Sequence, residues 1–179
     1  DYTCRLLSFL AGSNRVRPHI KDQIIATGIA TELLQLAAVP ASAPAPYCNW
    51  AVRALQTLSN LCDDTYDECH RAQLSLKMKQ VGAVGPLMLH CIADDSTAVE
   101  RALDGLHTLT GVVSLSYPVY RGAVLEAQGG LPNGSLGDLR RSLIAEFGSI
   151  APQLAASNVL RKHRNMRNNV SQVITNLHL

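Results

Sequence analysis

The residues with the greatest chemical potential lie near the middle of the chain, where two cysteines and a histidine stand among carboxylates. This group consists of Cys62, Asp67, Glu68, Cys69 and His70. A tetrahedral metal site needs ligands that converge in pairs, but Cys69 and His70 are adjacent and diverge on a helix, and no second pair follows. The spacing therefore predicts no metal site and no metal cofactor.

Two other stretches are candidates for catalysis or phosphate binding. His90 and Cys91 are neighbours in the chain, and neighbouring side chains do not easily form a nucleophile and its base. Cys91 also continues an apolar stripe, which favours core packing. The glycine-rich residues 129–137 follow no strand and lack the Gly-Lys-Ser/Thr ending of a phosphate-binding loop. We therefore expect neither an enzyme nor a cofactor.

One basic cluster is present, formed by Arg161, Lys162, Arg164 and Arg167. Such a cluster can bind nucleic acid or an acidic protein surface. It can equally be the solvated face of a helix, and the absence of interleaved aromatic residues for base stacking favours that interpretation. Binding of nucleic acid or a ribonucleoprotein through this cluster is the alternative function.

The composition places these residues on a helical framework. The chain is 47% hydrophobic and 17% charged but only 4% aromatic, which indicates an aliphatic core of close-packed helices. A net charge of +2 selects neither nucleic acid nor a membrane surface. Five cysteines without a CxxC pair indicate reduced thiols and a cytoplasmic location. No apolar run reaches the roughly 18 residues of a membrane span, so no membrane association is expected.

Apolar residues at helical spacing predict helices along most of the chain and no strands. The predicted helices cover residues 2–11, 20–27, 29–36, 50–62, 73–81, 83–92, 98–109, 119–127, 139–147 and 159–177. Gly28 and Gly82 follow helices, as C′ glycines do. The three prolines within 40–46 predict an extended, exposed loop. Residues 131–137 are predicted to be an irregular insertion, and residues 148–157 a break.

The predicted helices form a repeat. Gly28 aligns with Gly82 at an offset of 54 residues, and Ala54 aligns with Ala102 at an offset of 48, so the difference is the Pro-rich loop. Gly82 aligns with Gly130, again at 48. A period of about 40–47 residues with two or three helices is typical of HEAT and armadillo arrays. One such helical hairpin cannot bury its apolar face alone, so stacked repeats share a core.

These repeats resemble the armadillo family. Its third helix closes with Ala-Leu-x-x-Leu-x-Asn-Leu, which residues 54–61 match and residues 102–109 match in part, each after a helix and a glycine hinge. The resemblance implies an all-α fold, a right-handed armadillo-like α-solenoid of about three to four helical repeats. Residues 1–179 then form a single domain, part of a longer array, with repeat pieces at 1–12, 18–62, 72–110 and 117–179. HEAT repeats are the neighbouring alternative.

In armadillo proteins the third helices line a concave groove that binds extended peptides. Asparagine at the position of Asn60 suits this role because its amide both donates and accepts hydrogen bonds. Gln56 replaces the tryptophan of nuclear-import adaptors, so recognition of basic peptides is not expected, whereas the arginines of the face suggest an acidic or extended peptide. A merely solvated helix face is the competing interpretation. The predicted groove residues are Arg5, Trp50, Arg53, Gln56, Asn60, Arg101, Asp104, Thr108, Asn169, Gln172 and Asn176.

Both ends of the chain are apolar where a solenoid needs polar caps. The residues concerned are Leu6, Leu7, Phe9 and Leu10 at the start and Val170, Val173, Ile174, Leu177 and Leu179 at the finish. We expect further repeats, a second copy or another subunit to cover them. The expected function is a non-enzymatic scaffold or adaptor that binds other proteins through the groove and exposed loops, as a fixed subunit of a large assembly such as the cytoskeleton.

Overall fold

The computed structural model describes residues 3, 6–7, 10, 19–39, 43–44, 47–62, 67–114, 125–128 and 130–179. Its helices are α1 (His19–Ala26), α2 (Ile29–Ala37), α3 (Tyr47–Cys62), α4 (Glu68–Gln80), α5 (Val84–Cys91), α6 (Ser96–Val112), α7 (Ser135–Ala156), α8 (Asn158–Lys162) and α9 (Arg164–Leu177). Residues 125–128 are helical as well. Because no strand occurs in these ranges, the prediction of an all-α chain is confirmed.

Helices at equivalent positions of the sequence repeat are neighbours in space. We name three layers: the first layer is α1 to α3, the second is α4 to α6, and the terminal layer is α7 to α9. Helix α1 packs against α4, α2 against α5, and α3 against α6. The terminal layer continues the order, because α7 packs against α5 and α9 packs against α6. The repeat found in the sequence thus corresponds to contacts between successive layers.

The three glycines that the repeat alignment superposes have the same backbone conformation. Gly28, Gly82 and Gly130 have φ angles of 79°, 88° and 62°, all in the left-handed region. Side chains with a Cβ are strained there, so glycine is the residue that allows the chain to turn. Gly28 joins α1 to α2, and Gly82 joins α4 to α5. The same turn chemistry therefore begins the second helix of both repeats.

The core follows the alanine and leucine pattern of the third helices. Ala54, Leu58 and Leu61 of α3 are completely buried, and so are their counterparts on α6, which are Ala102, Leu106 and Leu109. Burying one leucine contributes about 1.5–3 kcal/mol. The small alanines allow α3 and α6 to approach closely while the leucines fill the space between them. The same core extends into the terminal layer through Leu139, Leu143, Phe147, Val173 and Leu177.

Helices α4 and α7 begin five and four residues earlier than the sequence predicts, and a carboxylate caps each of them. Helix α4 begins at Glu68 rather than at residue 73, since the Asp67 carboxylate accepts the backbone N–H groups of residues 69 and 70 at 2.9 and 3.1 Å. Helix α7 begins at Ser135, inside the predicted insertion 131–137. The buried Glu126 carboxylate accepts N–H groups from Gly134 and Leu136, both at 3.0 Å. Each cap satisfies donors that a helix start otherwise leaves unpaired.

Two predictions in the terminal layer are wrong. Residues 148–157 are not a break, because α7 continues through Pro152 to Ala156. Ile150 and Leu154 are buried along this stretch, and their burial offsets the cost of about 3 kcal/mol for an interior proline. Residues 159–177 are not one helix either, since His163 has an extended backbone (φ −116°, ψ 104°) between α8 and α9.

Some predictions lie wholly or partly outside the described residues. Residues 3, 6, 7 and 10 are helical, but the rest of the opening segment, including Arg5, is not described. Only residues 43 and 44 of the Pro-rich loop are described, and neither is helical. Of the predicted helix 119–127, the described part starts at residue 125. None of the described helices combines the length and apolarity that crossing a bilayer requires.

Candidate functional site

The predicted groove residues, apart from Arg5 and Trp50, share one side of the third helices, which we call the groove face. It comprises Arg53, Gln56 and Asn60 on α3, Arg101, Asp104 and Thr108 on α6, and Asn169, Gln172 and Asn176 on α9. All nine residues are exposed or half-buried, while the alanine and leucine positions between them are buried. Since α3 packs beside α6 and α6 beside α9, the three sets form one polar surface.

On α3 the groove face is partly ordered by its own hydrogen bonds. Gln56 Nε2 donates to Asn60 Oδ1 at 3.0 Å, which orients both amides. Trp50 is half-buried and meets Tyr47 edge to face, with ring centroids 5.0 Å apart. The Arg53 side chain is exposed, and among the described residues its guanidinium has no protein partner. Arg53 is therefore the group on this helix with the greatest freedom to meet a ligand.

On α6 the groove face centres on Asp104. Its carboxylate accepts from Arg101 Nη1 at 3.4 Å and from Asn169 Nδ2 of α9 at 3.1 Å. Burial raises the pKa of Asp104, although the charge and hydrogen bond of Arg101 act in the opposite direction. Thr108 Oγ1 donates to the backbone carbonyl of residue 104 at 3.0 Å. Asp104 thus ties two third helices together as well as contributing to the surface.

The asparagines of α9 also serve the contact between layers. Asn176 Nδ2 donates to Thr110 Oγ1 of α6 at 3.2 Å, and Asn169 holds Asp104 as described above. Gln172 lies between them on the helix and is exposed. Two of the side-chain amides that the sequence predicts to bind a peptide backbone therefore already form hydrogen bonds between helices. Gln172 is the amide on α9 that is exposed to solvent.

In each of the third helices, α3, α6 and α9, a backbone carbonyl near the C-terminal end accepts a hydrogen bond from a Lys or Arg side chain of another helix. The sequence does not reveal this arrangement. The partial negative charge of a helix C-terminus favours such contacts. The three hydrogen bonds are Lys21 Nζ to Asn60 O at 3.0 Å, Arg71 Nη2 to Thr108 O at 3.2 Å and Arg140 Nη2 to Leu177 O at 2.7 Å. These cations fix the ends of the helices that carry the groove face.

The basic cluster lies at the junction of α8 and α9, and all four of its side chains are exposed. Arg167 Nη1 donates to the carbonyls of Leu160 and Arg161 at 3.0 and 2.6 Å, so it caps the end of α8. Arg161, Lys162 and Arg164 remain as an outward-facing positive surface. The sequence predicted this exposure but not the structural role of Arg167.

The sequence did not predict a pocket of about 340 Å³ between α7, α8 and α9, which we call the terminal pocket. It is lined by Phe147, Ala151, Leu154, Ala155, Ser157, Leu160, Arg161, Arg167, Val170, Ser171 and Ile174. In the sequence, the apolar residues 147, 151, 154 and 155 are spaced as they are on one face of a helix, and this pattern could have indicated the α7 side of the pocket. The predicted break at 148–157 concealed this stripe.

A second unpredicted feature is a charged cluster between α1 and α4. Asp22 accepts from Lys77 Nζ at 2.5 Å and lies 3.1 Å from His70 Nε2. Burial alone raises the pKa of Asp22, but hydrogen bonds and charges from Lys77 and His70 outweigh it, so the pKa lies below its usual value. His70 is thereby directed to a carboxylate of the neighbouring layer.

Cys69 turns away from His70 to Gln128 Oε1 at 3.7 Å, and burial together with the acidic neighbours raises its pKa. In the part of the chain that the structure describes, no three His, Cys, Asp or Glu side chains come together as a metal site requires.

Comparison with known proteins adds nothing to these contacts, because no family model, no curated protein and no solved structure matches the chain.

Proposed function

We propose that the chain is a right-handed armadillo-like α-solenoid of about three to four repeats that works as a non-enzymatic scaffold or adaptor. Contacts between equivalent helices of successive layers support the repeat architecture. The left-handed glycines at 28, 82 and 130 support it independently, because they place the same turn in each repeat. Such stacks offer an extended surface rather than a single deep cleft, which suits the binding of other proteins.

The observation that carries this proposal is the alignment of two arginines on neighbouring helices of the groove face. Arg53 is exposed on α3, and Arg101 occupies the equivalent position on α6, where it is half-buried. Packed helices lie about 8–10 Å apart. An extended peptide rises about 3.3 Å per residue and alternate side chains share a face, so carboxylates two residues apart lie about 6.6 Å apart and one long arginine side chain can reach each of them. The proposed ligand is therefore an acidic, extended peptide segment of another protein.

Neighbouring groups refine this proposed ligand. Asp104 beside Arg101 partly neutralises that position, so Arg53 provides the stronger attraction for an acidic group. The Gln56 and Asn60 amides are oriented by their hydrogen bond and can contact the peptide backbone without selecting its sequence. The free thiols of Cys69 and Cys91 fit a reducing compartment such as the cytoplasm.

The experiment that tests the groove compares partners captured by the tagged, intact chain and by charge-reversed variants. Arg53→Glu is the primary variant because this side chain is exposed and its change leaves the core intact. Arg53→Glu with Arg101→Glu is the stronger perturbation, and Lys162→Glu with Arg164→Glu is the control with the same change of charge. Quantitative mass spectrometry should show loss of partners for the groove variants only, while circular dichroism shows unchanged helical content.

An unchanged set of partners after both groove reversals would exclude this face as the binding surface. The alternative is nucleic-acid binding through the basic cluster, which is supported by the exposure of Arg161, Lys162 and Arg164. That mechanism predicts steep loss of affinity with salt, because phosphate contacts release counterions. It also predicts that nuclease treatment and the Lys162→Glu, Arg164→Glu control, rather than the groove variants, abolish capture.

A further inference from the structure

The terminal pocket combines an apolar floor with an open rim. Phe147, Leu154 and Leu160 form the buried part, with 2%, 5% and 6% of their surfaces exposed. Ala151 and Ala155 line it from α7 and are exposed, so small side chains leave its entrance open. Ligand pockets usually measure about 300–1,000 Å³, which places this one at the small end. Its size suits one or two large apolar side chains rather than a whole enclosed ligand.

The charged side chains that line this pocket have one sign. All fourteen Asp and Glu residues of the chain lie at or before Glu146, so residues 147–179 contain four cations and no acidic side chain. Arg161 and Arg167 line the pocket itself. The two backbone carbonyls that Arg167 Nη1 contacts fix its guanidinium, whose Nη2 and Nε groups carry further donors. An apolar cavity therefore lies beside a fixed positive group, in a segment of the chain whose charged side chains are all positive.

We propose that the terminal pocket binds an acidic peptide segment of a partner protein. One large aliphatic or aromatic side chain of the segment enters the pocket, and flanking carboxylates pair with Arg161 and Arg167. Arginine suits this role because its planar guanidinium forms paired hydrogen bonds with a carboxylate. None of its lining residues belongs to the groove face, so the two surfaces can be tested separately.

The chemistry of the pocket favours this occupant over three others. Nucleic acid needs accessible aromatic rings for stacking, but the one aromatic ring of the lining, Phe147, is almost completely buried. A fatty acid needs an enclosed apolar channel, whereas Ala151, Ala155 and Ser171 leave this lining open to solvent. A second copy paired through the same surface would bring two positive regions together, since a two-fold interface is self-complementary.

The test uses matched substitutions on the intact chain. Ala155→Phe fills the pocket from an exposed position, and Ala156→Phe is its control because Ala156 is exposed on the same helix but does not line the pocket. Arg161→Glu reverses a lining charge, and Lys162→Glu is its control because the neighbouring Lys162 is exposed outside the lining. Circular dichroism establishes that all four variants keep their helical content.

The probes are short random peptides displayed on phage and selected against the intact chain. We expect enrichment of peptides in which a large apolar residue is flanked by Asp or Glu. Fluorescence anisotropy of the enriched peptides should show affinity weakened at least about tenfold by Ala155→Phe and by Arg161→Glu, which is about 1.4 kcal/mol. The two control substitutions should change it less than about twofold, and Arg53→Glu should leave it unchanged, as expected for a separate surface site.

Several results would overturn the proposal. Enrichment of no peptides, or of peptides that lack acidic residues, would remove the proposed partner chemistry. Enriched acidic peptides that respond to Arg53→Glu but not to Ala155→Phe would support the groove and reject the pocket. Displacement of the peptides by single-stranded oligonucleotides would assign the positive surface to nucleic acid. Tighter binding of lauric acid than of any peptide, or a dimer that Ala155→Phe dissociates, would assign the pocket to a lipid or to a second copy.

Discussion

The contact between the first two layers and the terminal pocket differ in how far they bury their apolar residues. Between the first and second layers, Leu58 and Leu106 are completely buried in a continuous aliphatic contact. In the terminal layer, Ile174 is 36% exposed and borders an open pocket. Among the described residues, the contact between the first two layers hides its apolar side chains, whereas the terminal pocket leaves part of its lining uncovered. The difference indicates where the molecule is closed and where it can bind.

The polar contacts of these regions differ in the same way. Between the first and second layers, Asp22 has two partners that can carry positive charge, Lys77 and His70, and its pKa lies below the usual value. Asp104, which contacts the terminal layer, has Arg101 and His107 near it, but burial and the charge of Glu100 outweigh them and raise its pKa. Burial acts on both carboxylates, and the closer contacts of Asp22 with its two positive partners lower its pKa, whereas the single, longer contact of Asp104 with Arg101 does not.

The largest expected effect breaks the contact between the first two layers. Leu58→Ala and Leu106→Ala should each lower the free energy of unfolding by about 2–5 kcal/mol, because each leaves a cavity in a fully buried contact. Ile174→Ala should cost less than about 1 kcal/mol, since its side chain is already partly in water. Urea denaturation followed by circular dichroism measures all three. Equal costs would show that the terminal layer is as closely packed as the others.

A smaller loss is expected where the terminal layer begins. Glu126→Ala should cost about 1–3 kcal/mol, because the N–H groups of Gly134 and Leu136 lose their buried acceptor. Glu126→Gln keeps one acceptor oxygen and should lose less. Glu146→Ala serves as the control, since its hydrogen bond with Ser142 is half-buried and caps no helix. Urea denaturation that ranks the control with Glu126→Ala would refute the capping role.

The two carboxylates between layers predict opposite dependences on pH. The pKa of Asp22 is lowered by folding, so its stabilising contribution is present above the unfolded value and is lost as pH falls through the folded pKa. The pKa of Asp104 is raised, so its contribution is most favourable at low pH and declines as pH rises through the unfolded and then the folded pKa. The stability advantage of the wild type over Asp22→Asn should shrink on acidification.

The advantage of the wild type over Asp104→Asn should grow under the same conditions. The measurement is urea denaturation of the three proteins at a series of pH values between about 2 and 6, a range that spans ordinary carboxylate pKa values. Parallel curves for the two variants would mean that the two interfaces do not differ electrostatically in the way their contacts indicate.

The smallest effect is expected from shortening the connection within the first layer. Residues 38–46 join α2 to α3, whereas residues 92–95 make the equivalent connection in the second layer. Residues 40–46 can be shortened until the connection is as long as that of the second layer. This should change the free energy of unfolding by less than about 1 kcal/mol, because loop length affects closure entropy only weakly. A thermal melt tests this, and a loss as large as that of Leu58→Ala would contradict the repeat alignment.

The sequence predicted the first two layers well because their signals are local. The alanines and leucines of residues 54–61 and 102–109 repeat within single helices, and glycines mark the turns at Gly28 and Gly82. Helical periodicity alone therefore identified which side chains become buried. The residues of the groove face followed from the same spacing, because a helical face is fixed by sequence separation.

The sequence predicted the terminal layer poorly because tertiary contacts override its local signals. Pro152 indicates the end of a helix, yet the buried stripe around it keeps α7 continuous. No glycine or proline marks His163, where the chain turns between α8 and α9. The hydrogen bond between Asp104 and Asn169 joins residues 65 positions apart and depends on the packing of α9. The apolar spacing at 147, 151, 154 and 155 indicates the α7 side of the terminal pocket, but the pocket itself depends on how α8 and α9 pack against α7.

The most direct test of this difference is the binding of a hydrophobic dye to the intact, folded chain. Sedimentation velocity over a wide concentration range gives the oligomeric state of the same samples. We expect dye fluorescence that Ala155→Phe reduces by at least about half and that Ala156→Phe leaves unchanged, since exposed apolar patches bind such probes. A clean monomer without dye binding, or dye binding that Ala155→Phe does not alter, would contradict this expectation, because the terminal pocket would then not be an open apolar surface.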